Sequence, residues 1–304
     1  MNDITNFFQL LRELPGSAGA QPVARAPYGI LGLGEGALAA ELLGEFAGRK
    51  LTGSGTQFVL ASGDWEGAAD DYAGIAEASG ATVARFGEGD LDKLAGLVRG
   101  GPFATYFFAQ RVAHATGHAR EAQEAERLLA DLAARCAPEV GEGNPARDLA
   151  WTLWTRTPLL LAPVGESFLT WAWQVVLARV GKSLSVPVER DPLYVLTGAF
   201  EARHENGDGR LALILGEEDQ EMSLAREVLS SRVDEVVQVP YPEGVGGYAG
   251  NLALWYFALW VAAYLAERYG VSPEDGKALR EVKASLTERG AEAGSSESGR
   301  AELN

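Results

Sequence analysis

Short apolar runs alternate with amphipathic stretches about twice as long through most of the chain. Tyr28–Leu33 reads as a strand followed by a helix over Ala37–Phe46. Gln57–Ala61 and Gly67–Ser79 repeat the pair, and Ala81–Phe86 with Leu91–Arg99 repeat it again. Continuous apolar runs separated by helical periods imply parallel strands with helices on both sheet faces. Helical stretches over Phe103–His118 and Ala119–Ala137 follow, and the glycine-rich Pro138–Pro145 reads as a linker. After a helix at Ala146–Arg156 the pattern restarts. Leu159–Pro163 is a strand, Ser167–Val180 a helix, Arg210–Leu215 a strand, Gln220–Ser230 a helix and Val233–Val239 a strand.

This order predicts an α/β protein of two similar, doubly wound domains, each a parallel sheet flanked by helices. Their expected limits are residues 1–142 and 143–289. The tail over 290–304, with its Gly-Ser-Ser-Glu-Ser-Gly run, reads as disordered. Leu252–Leu265 is the most apolar stretch. At about 14 residues it falls short of a bilayer span and reads as a buried core helix. Met1–Leu14 is mixed and amphipathic, without a basic-then-apolar leader.

Composition narrows the function classes. The 304 residues suit about two domains of roughly 150 each. A formal charge of −16 argues against nucleic acid or an anionic membrane as partner. An anionic substrate would need local N–H groups and cations to override that field. Cys136 is the one cysteine, so there is no intrachain disulfide and no cysteine-rich metal site, which fits a reducing cytoplasm.

Two strand-to-helix turns carry the candidate chemistry. In Gly32-Leu33-Gly34-Glu35-Gly36-Ala37 the glycines permit close backbone approach, so the turn suits a plain tight turn, an anion or a dinucleotide. The dinucleotide reading wants an acid about 20 positions on, whereas Asp64 lies about 30 after Gly34. In Ser62-Gly63-Asp64-Trp65-Glu66 a hydroxyl and a bare N–H stand at a helix start, where anions are attracted. Asp64 serves equally as an N-cap with Glu66 adding first-turn charge. Glu35 and Asp64 would both stand near a phosphate held here. One such charge about 6 Å away costs roughly 3 kcal/mol at an effective dielectric of 20.

His114 and His118 stand four apart on one predicted helix face, but no third ligand accompanies them, so no metal centre is expected. His204 reads as part of an exposed turn. Tryptophans at 151, 154, 171, 173, 255 and 260 read as packing residues rather than a carbohydrate platform. The Trp255-Tyr256-Phe257 helix reads as a dimer or domain-seam element.

Taken together these segments resemble the bifunctional phosphoglucose/phosphomannose isomerases, built from two sugar-isomerase (SIS) domains, over about residues 28–286. Gly32-Leu33-Gly34-Glu35-Gly36-Ala37-Leu38 falls where that family has Gly-Met-Gly-Gly-Ser-Ala-Ile, and Ser62-Gly63-Asp64-Trp65-Glu66 falls on Ser-Gly-Asn-Thr-Glu. Phe86-Gly87-Glu88-Gly89-Asp90-Leu91 resembles the end of the third strand. Gly270-Val271-Ser272-Pro273 followed by Val282-Lys283 resembles Gly-Val-Asp-Pro-Thr-Pro and Leu-Lys.

The resemblance implies a cytoplasmic homodimer without cofactor or metal, acting on a sugar phosphate. A glutamate would move a proton between C1 and C2 through an enediol, helped by a histidine and a C-terminal lysine. It places the base at Glu189 and the lysine at Lys283, with Gly34, Glu35, Gly36, Ser62, Gly63, Asp64 and Trp65 against the substrate. The family's loop serine is replaced by Gly36, its threonine by Trp65 and an arginine by Phe103, and no histidine accompanies Glu189. An aldose–ketose isomerase of low activity, or a non-catalytic sensor or assembly protein on the same scaffold, is expected.

Overall fold

The run Thr-Gln-Phe-Val-Leu-Ala at 56–61 is buried at every position, as a strand covered on both faces must be. It is β2 (Thr56–Ala61), the centre of a parallel sheet in a computed structural model describing residues 2–62, 65–86, 101–188, 209–274 and 285. β1 (Tyr28–Leu33) and β3 (Thr82–Phe86) flank it. Phe58 and Leu60 enter the main core, while Val59 and Ala61 pack on the other face with Ala69 of α3 (Glu66–Ala78). Leu33 pairs with Ala61, so the two following turns open side by side at the C-terminal edge of the sheet.

The second sheet has the order β5-β4-β6-β7 and is also parallel. Its strands are β4 (Thr157–Leu161), β5 (Val186–Pro187), β6 (Arg210–Leu215) and β7 (Glu235–Val239). Leu160, Leu211, Leu213 and Leu215 face α7 (Ser167–Arg179) and the main core. Leu159, Leu161, Ala212 and Ile214 pack with Met222, Ala225 and Leu229 of α8 (Gln220–Leu229). Helices on opposite faces make the sheet doubly wound. Its strand order reverses between β4 and β6, where such sheets open a crevice.

The remaining helices are α1 (Asn2–Glu13), α2 (Glu35–Leu42), α4 (Ala104–Ala115), α5 (Ala119–Cys136), α6 (Pro145–Leu153) and α9 (Gly247–Tyr269). α9 exceeds the expected Leu252–Leu265 at both ends and stops at Gly270, whose φ of 68° provides a left-handed cap. It is long and apolar enough to cross a membrane, yet its apolar window is wholly buried. It packs against α1, α5, α6 and α7, and the Tyr256 hydroxyl donates to the Leu11 carbonyl at 2.5 Å. Trp255 and Tyr256 therefore lie in this chain's own core, at a seam rather than on a dimer face.

One helix ends earlier than its pattern suggested. α4 stops at Ala115, the chain turns through Gly117 at φ 87°, and His118 is already the N-cap of α5. His114 and His118 thus share no helix face, because Thr116 and Gly117 break the period between them. Residues Met1–Pro273 form one unit that holds both sheets, and Glu274–Asn304 form a second, of which Glu274 and Ser285 are described. The expected helix Leu91–Arg99, His204 and the tail from 290 lie outside the described residues.

Candidate functional site

At the end of β1 the chain turns through Gly34 with φ 60° and ψ −125°, a conformation that suits a residue without a side chain. A Cβ there would stand 2.8 Å from Trp65 Cδ1 and 3.1 Å from Ser62 Oγ. Ser62 is buried, and its hydroxyl accepts the Glu35 N–H at 3.0 Å. The residue after β2 thus satisfies the first N–H of α2, a capping role played across two strands. Gly36 is equally committed, since a Cβ on it would stand 2.3 Å from the Leu60 carbonyl oxygen. Its bare Cα lets α2 lie directly on β2.

Glu35 opens α2, where the helix dipole favours a carboxylate. Its side chain is 15% exposed and forms an ion pair with Arg179. Both carboxylate oxygens are shut off from solvent and take no hydrogen bond among the described residues, so the guanidinium meets the charge as an ion partner. Arg179 lies in the last turn of α7, where the opposite end of a dipole favours a cation. Burial holds its pKa below the ordinary arginine value. Trp65, 50% exposed, is the N-cap of α3 without a side-chain cap bond, and its indole covers Gly34. The structure thus gathers Gly34, Glu35, Gly36, Ser62 and Trp65 at one edge of the first sheet. Gly63, Asp64, Glu189 and Lys283 lie outside the described residues.

Comparison with known proteins identifies the scaffold. Residues 7–117 match the phosphoglucose isomerase N-terminal domain, and residues 142–286 match the bacterial phospho-glucose isomerase C-terminal SIS domain. A glucose-6-phosphate isomerase like protein from Thermus thermophilus is 34% identical, with 92% of this chain and 94% of that one aligned at a TM-score of 0.77. The chain belongs to the phosphoglucose isomerase family. Two more distant structures share the fold. They are glucosamine-6-phosphate deaminase from Thermotoga maritima (12% identity, TM-score 0.53, 90% and 95% of the two chains) and tagatose-6-phosphate ketose/aldose isomerase from Escherichia coli (11%, 0.53, 90% and 92%). No individual curated protein matches in sequence.

Within the phosphoglucose isomerase family the described departures have structural reasons. Where the resemblance places a loop serine, Gly36 leaves no room for a side chain. Where it places an arginine, Phe103 is buried against Phe7 with ring centroids 5.2 Å apart. The two described histidines do not join the turns. The His118 ring stacks on Phe46 at 3.9 Å and bonds the Thr116 hydroxyl at 3.0 Å, and His114 is half-buried on α4. No metal-ligating cluster occurs among the described residues. Trp173, Trp255 and Trp260 fill the core as packing residues. Trp151, 59% exposed, and Trp154 instead flank Arg268 on the surface, 4.4 and 4.0 Å from its guanidinium.

A second polar group stands near the crevice of the other sheet and escaped the sequence reading. The Tyr241 hydroxyl donates to Asn251 Oδ1 at 2.8 Å, and Asn251 Nδ2 donates to Glu166 Oε2 at 2.9 Å. Burial, and then the Glu166 charge, push the Tyr241 pKa up. Gly216, at φ 82°, brings the end of β6 against the Tyr241 ring. The signal available was Pro163-Val164-Gly165-Glu166, a strand-to-helix turn in the same position as the first domain's.

Proposed function

We propose that this phosphoglucose isomerase family member binds a sugar phosphate or a related carbohydrate derivative at its first-domain turns, and isomerises aldose and ketose phosphates only slowly. The observation that carries this reading is the side-by-side opening of the Gly34 and Ser62 turns at the C-terminal edge of the first sheet. Glu189 would take the proton from C2 of the aldose and return it to C1 of the enediol, with Lys283 assisting. A buried lone thiol and the burial of the apolar window of α9 support a cytoplasmic protein. Light scattering on the purified protein tests the homodimer.

Coupled assays with fructose 6-phosphate and mannose 6-phosphate test the activity. Turnover at least about 100-fold below that of a relative with the full motif set is expected, lost on Glu189→Gln. Turnover equal to such a relative would refute the low-activity reading. The filled turn, with Trp65 over Gly34, favours a second reading of a non-catalytic sensor or assembly protein. That reading predicts ligand-dependent thermal stabilisation without turnover.

A further inference from the structure

We propose that the open edge of β7 and the cavity along it form a docking groove for an extended basic peptide. The peptide adds a strand to the second sheet and seats one apolar side chain in the cavity. This goes beyond the sugar-phosphate reading and does not depend on it. Among the described residues β7 has a neighbouring strand on one side only. The Asp234 N–H bonds the Arg210 carbonyl at 3.0 Å, so alternate residues from Asp234 onward turn their backbone groups toward β6. Glu235 and Val237 turn theirs the other way, and the ladder closes where the Val239 carbonyl accepts the Gly216 N–H at 3.0 Å. The strand reads Glu-Val-Val-Gln-Val, with neither the lysine nor the proline that commonly blunts an edge.

The cavity measures about 460 Å³, enough for a large side chain. Leu132 of α5, Leu149 of α6, and Leu254 and Phe257 of α9 line it, with Val237 and Val239 of β7 as the facing wall. Val237 packs toward the main core and Val236 toward the opposite face, so Val237 brings an outward backbone and an apolar cavity wall to one place. An extended chain laid on this edge gains main-chain bonds and a pocket for alternate side chains. Charge at the rim selects the sequence. Arg135 is paired with Asp131, Glu235 with Arg156 and Glu243 with Arg127. Asp148, exposed in the first turn of α6, has no side-chain partner among the described residues. The unmet charge is negative, in a chain of net −16, and its complement is a lysine or arginine on the same face as the apolar anchor. In an extended peptide that residue stands two positions away.

Fluorescence polarisation on the full chain tests this with a labelled Thr-Lys-Thr-Phe-Thr-Lys-Thr peptide, whose lysines flank the anchor in either strand direction. Saturable binding to the parent is expected, weakened at least about tenfold when the phenylalanine becomes alanine. N-methylation of one of the two alternating sets of peptide amides should abolish it, because only one set meets the edge. Asp148→Lys should weaken binding at least about fivefold, and Thr152→Trp, which fills the cavity from α6, at least about tenfold. Val237→Pro removes an outward N–H and leaves the β6 ladder intact, and should weaken it as much as Thr152→Trp. Each variant is first checked for cooperative melting; if Val237→Pro does not fold, the methylated peptides and Thr152→Trp carry the test. No saturable binding by the parent up to about 1 mM peptide overturns the proposal, as does equal binding of both methylated peptides. A dimer in sedimentation that Val237→Pro abolishes, with no peptide bound by the parent, overturns it in favour of a second copy. Anilinonaphthalene sulfonate binding that Thr152→Trp removes, again without peptide binding, overturns it in favour of a small apolar ligand.

Discussion

Asn144 Nδ2 stands 3.0 Å from the Tyr264 hydroxyl, and the two share the Cys136 carbonyl at 3.1 and 2.8 Å. Asn144 Oδ1 also accepts the N–H groups of Ala146 and Arg147, capping α6. One fully buried side chain therefore fixes the end of α5, the start of α6 and the flank of α9. Replacing Asn144 by alanine removes a cap and leaves buried carbonyl groups short of donors. A loss of about 3 kcal/mol in urea unfolding is expected. A loss below about 1 kcal/mol would mean that other donors replace the amide.

Cys136 lies at the same junction, fully buried, and burial pushes its thiol up to about 12. The thiolate is the reactive species, so the native protein should resist thiol labelling at pH 8. One equivalent should react after denaturation. Rapid labelling of the native chain would contradict the packing around α5.

Glu126 accepts from Tyr106 at 2.6 Å and Gln110 at 2.7 Å through one oxygen, and from the Gly16 N–H at 2.6 Å through the other. Burial nevertheless raises its pKa, outweighing those bonds. A carboxylate raised in the folded state binds its proton more tightly there than in the unfolded chain. Its contribution is complete below the ordinary carboxylate value and fades as pH rises through the folded pKa. The stability advantage of the parent over Glu126→Gln should therefore grow between pH 7 and pH 5, as followed by denaturant unfolding. An advantage that shrinks over that range would reverse the sign assigned here.

Gly36→Ser restores the residue type that the family resemblance places in the turn, yet its Cβ would press on the Leu60 carbonyl at 2.3 Å. Lifting α2 from β2 should cost about 2–3 kcal/mol, seen as a lower melting temperature, without a gain in phosphate affinity. A neutral substitution with tighter phosphate binding would show that α2 can shift to rebuild a cradle.

The central strands β2 and β6 were legible because burial on both faces leaves unbroken apolar runs, whereas the two-residue β5 carries too short a pattern to be read. β1 and β6 match their expected limits, and β2 begins one residue earlier. α9 was placed but cut short, since a helix apolar on every side carries no period to mark its ends. The first turn was legible from its glycines, but spacing could not separate Gly34, whose backbone turns, from Gly36, whose Cα packs on a strand. The Glu35–Arg179 and Glu166–Asn251 contacts join segments far apart in sequence. No local pattern announces such partners; only the folded register of the sheets brings them together.

Since α9 follows both sheets in the chain and joins one core with Phe58, Leu60, Leu213 and Leu215, its position has a cost during synthesis. A ribosome that has not yet released this helix holds two sheets whose inner surfaces lack their shared cover. The waiting segment meets by length and composition the same test as a bilayer anchor. Docking of α9 onto both sheets is therefore the step that removes this apolar surface from solvent. Mutations that weaken α9 docking should first appear as less folded protein, before any change in ligand binding.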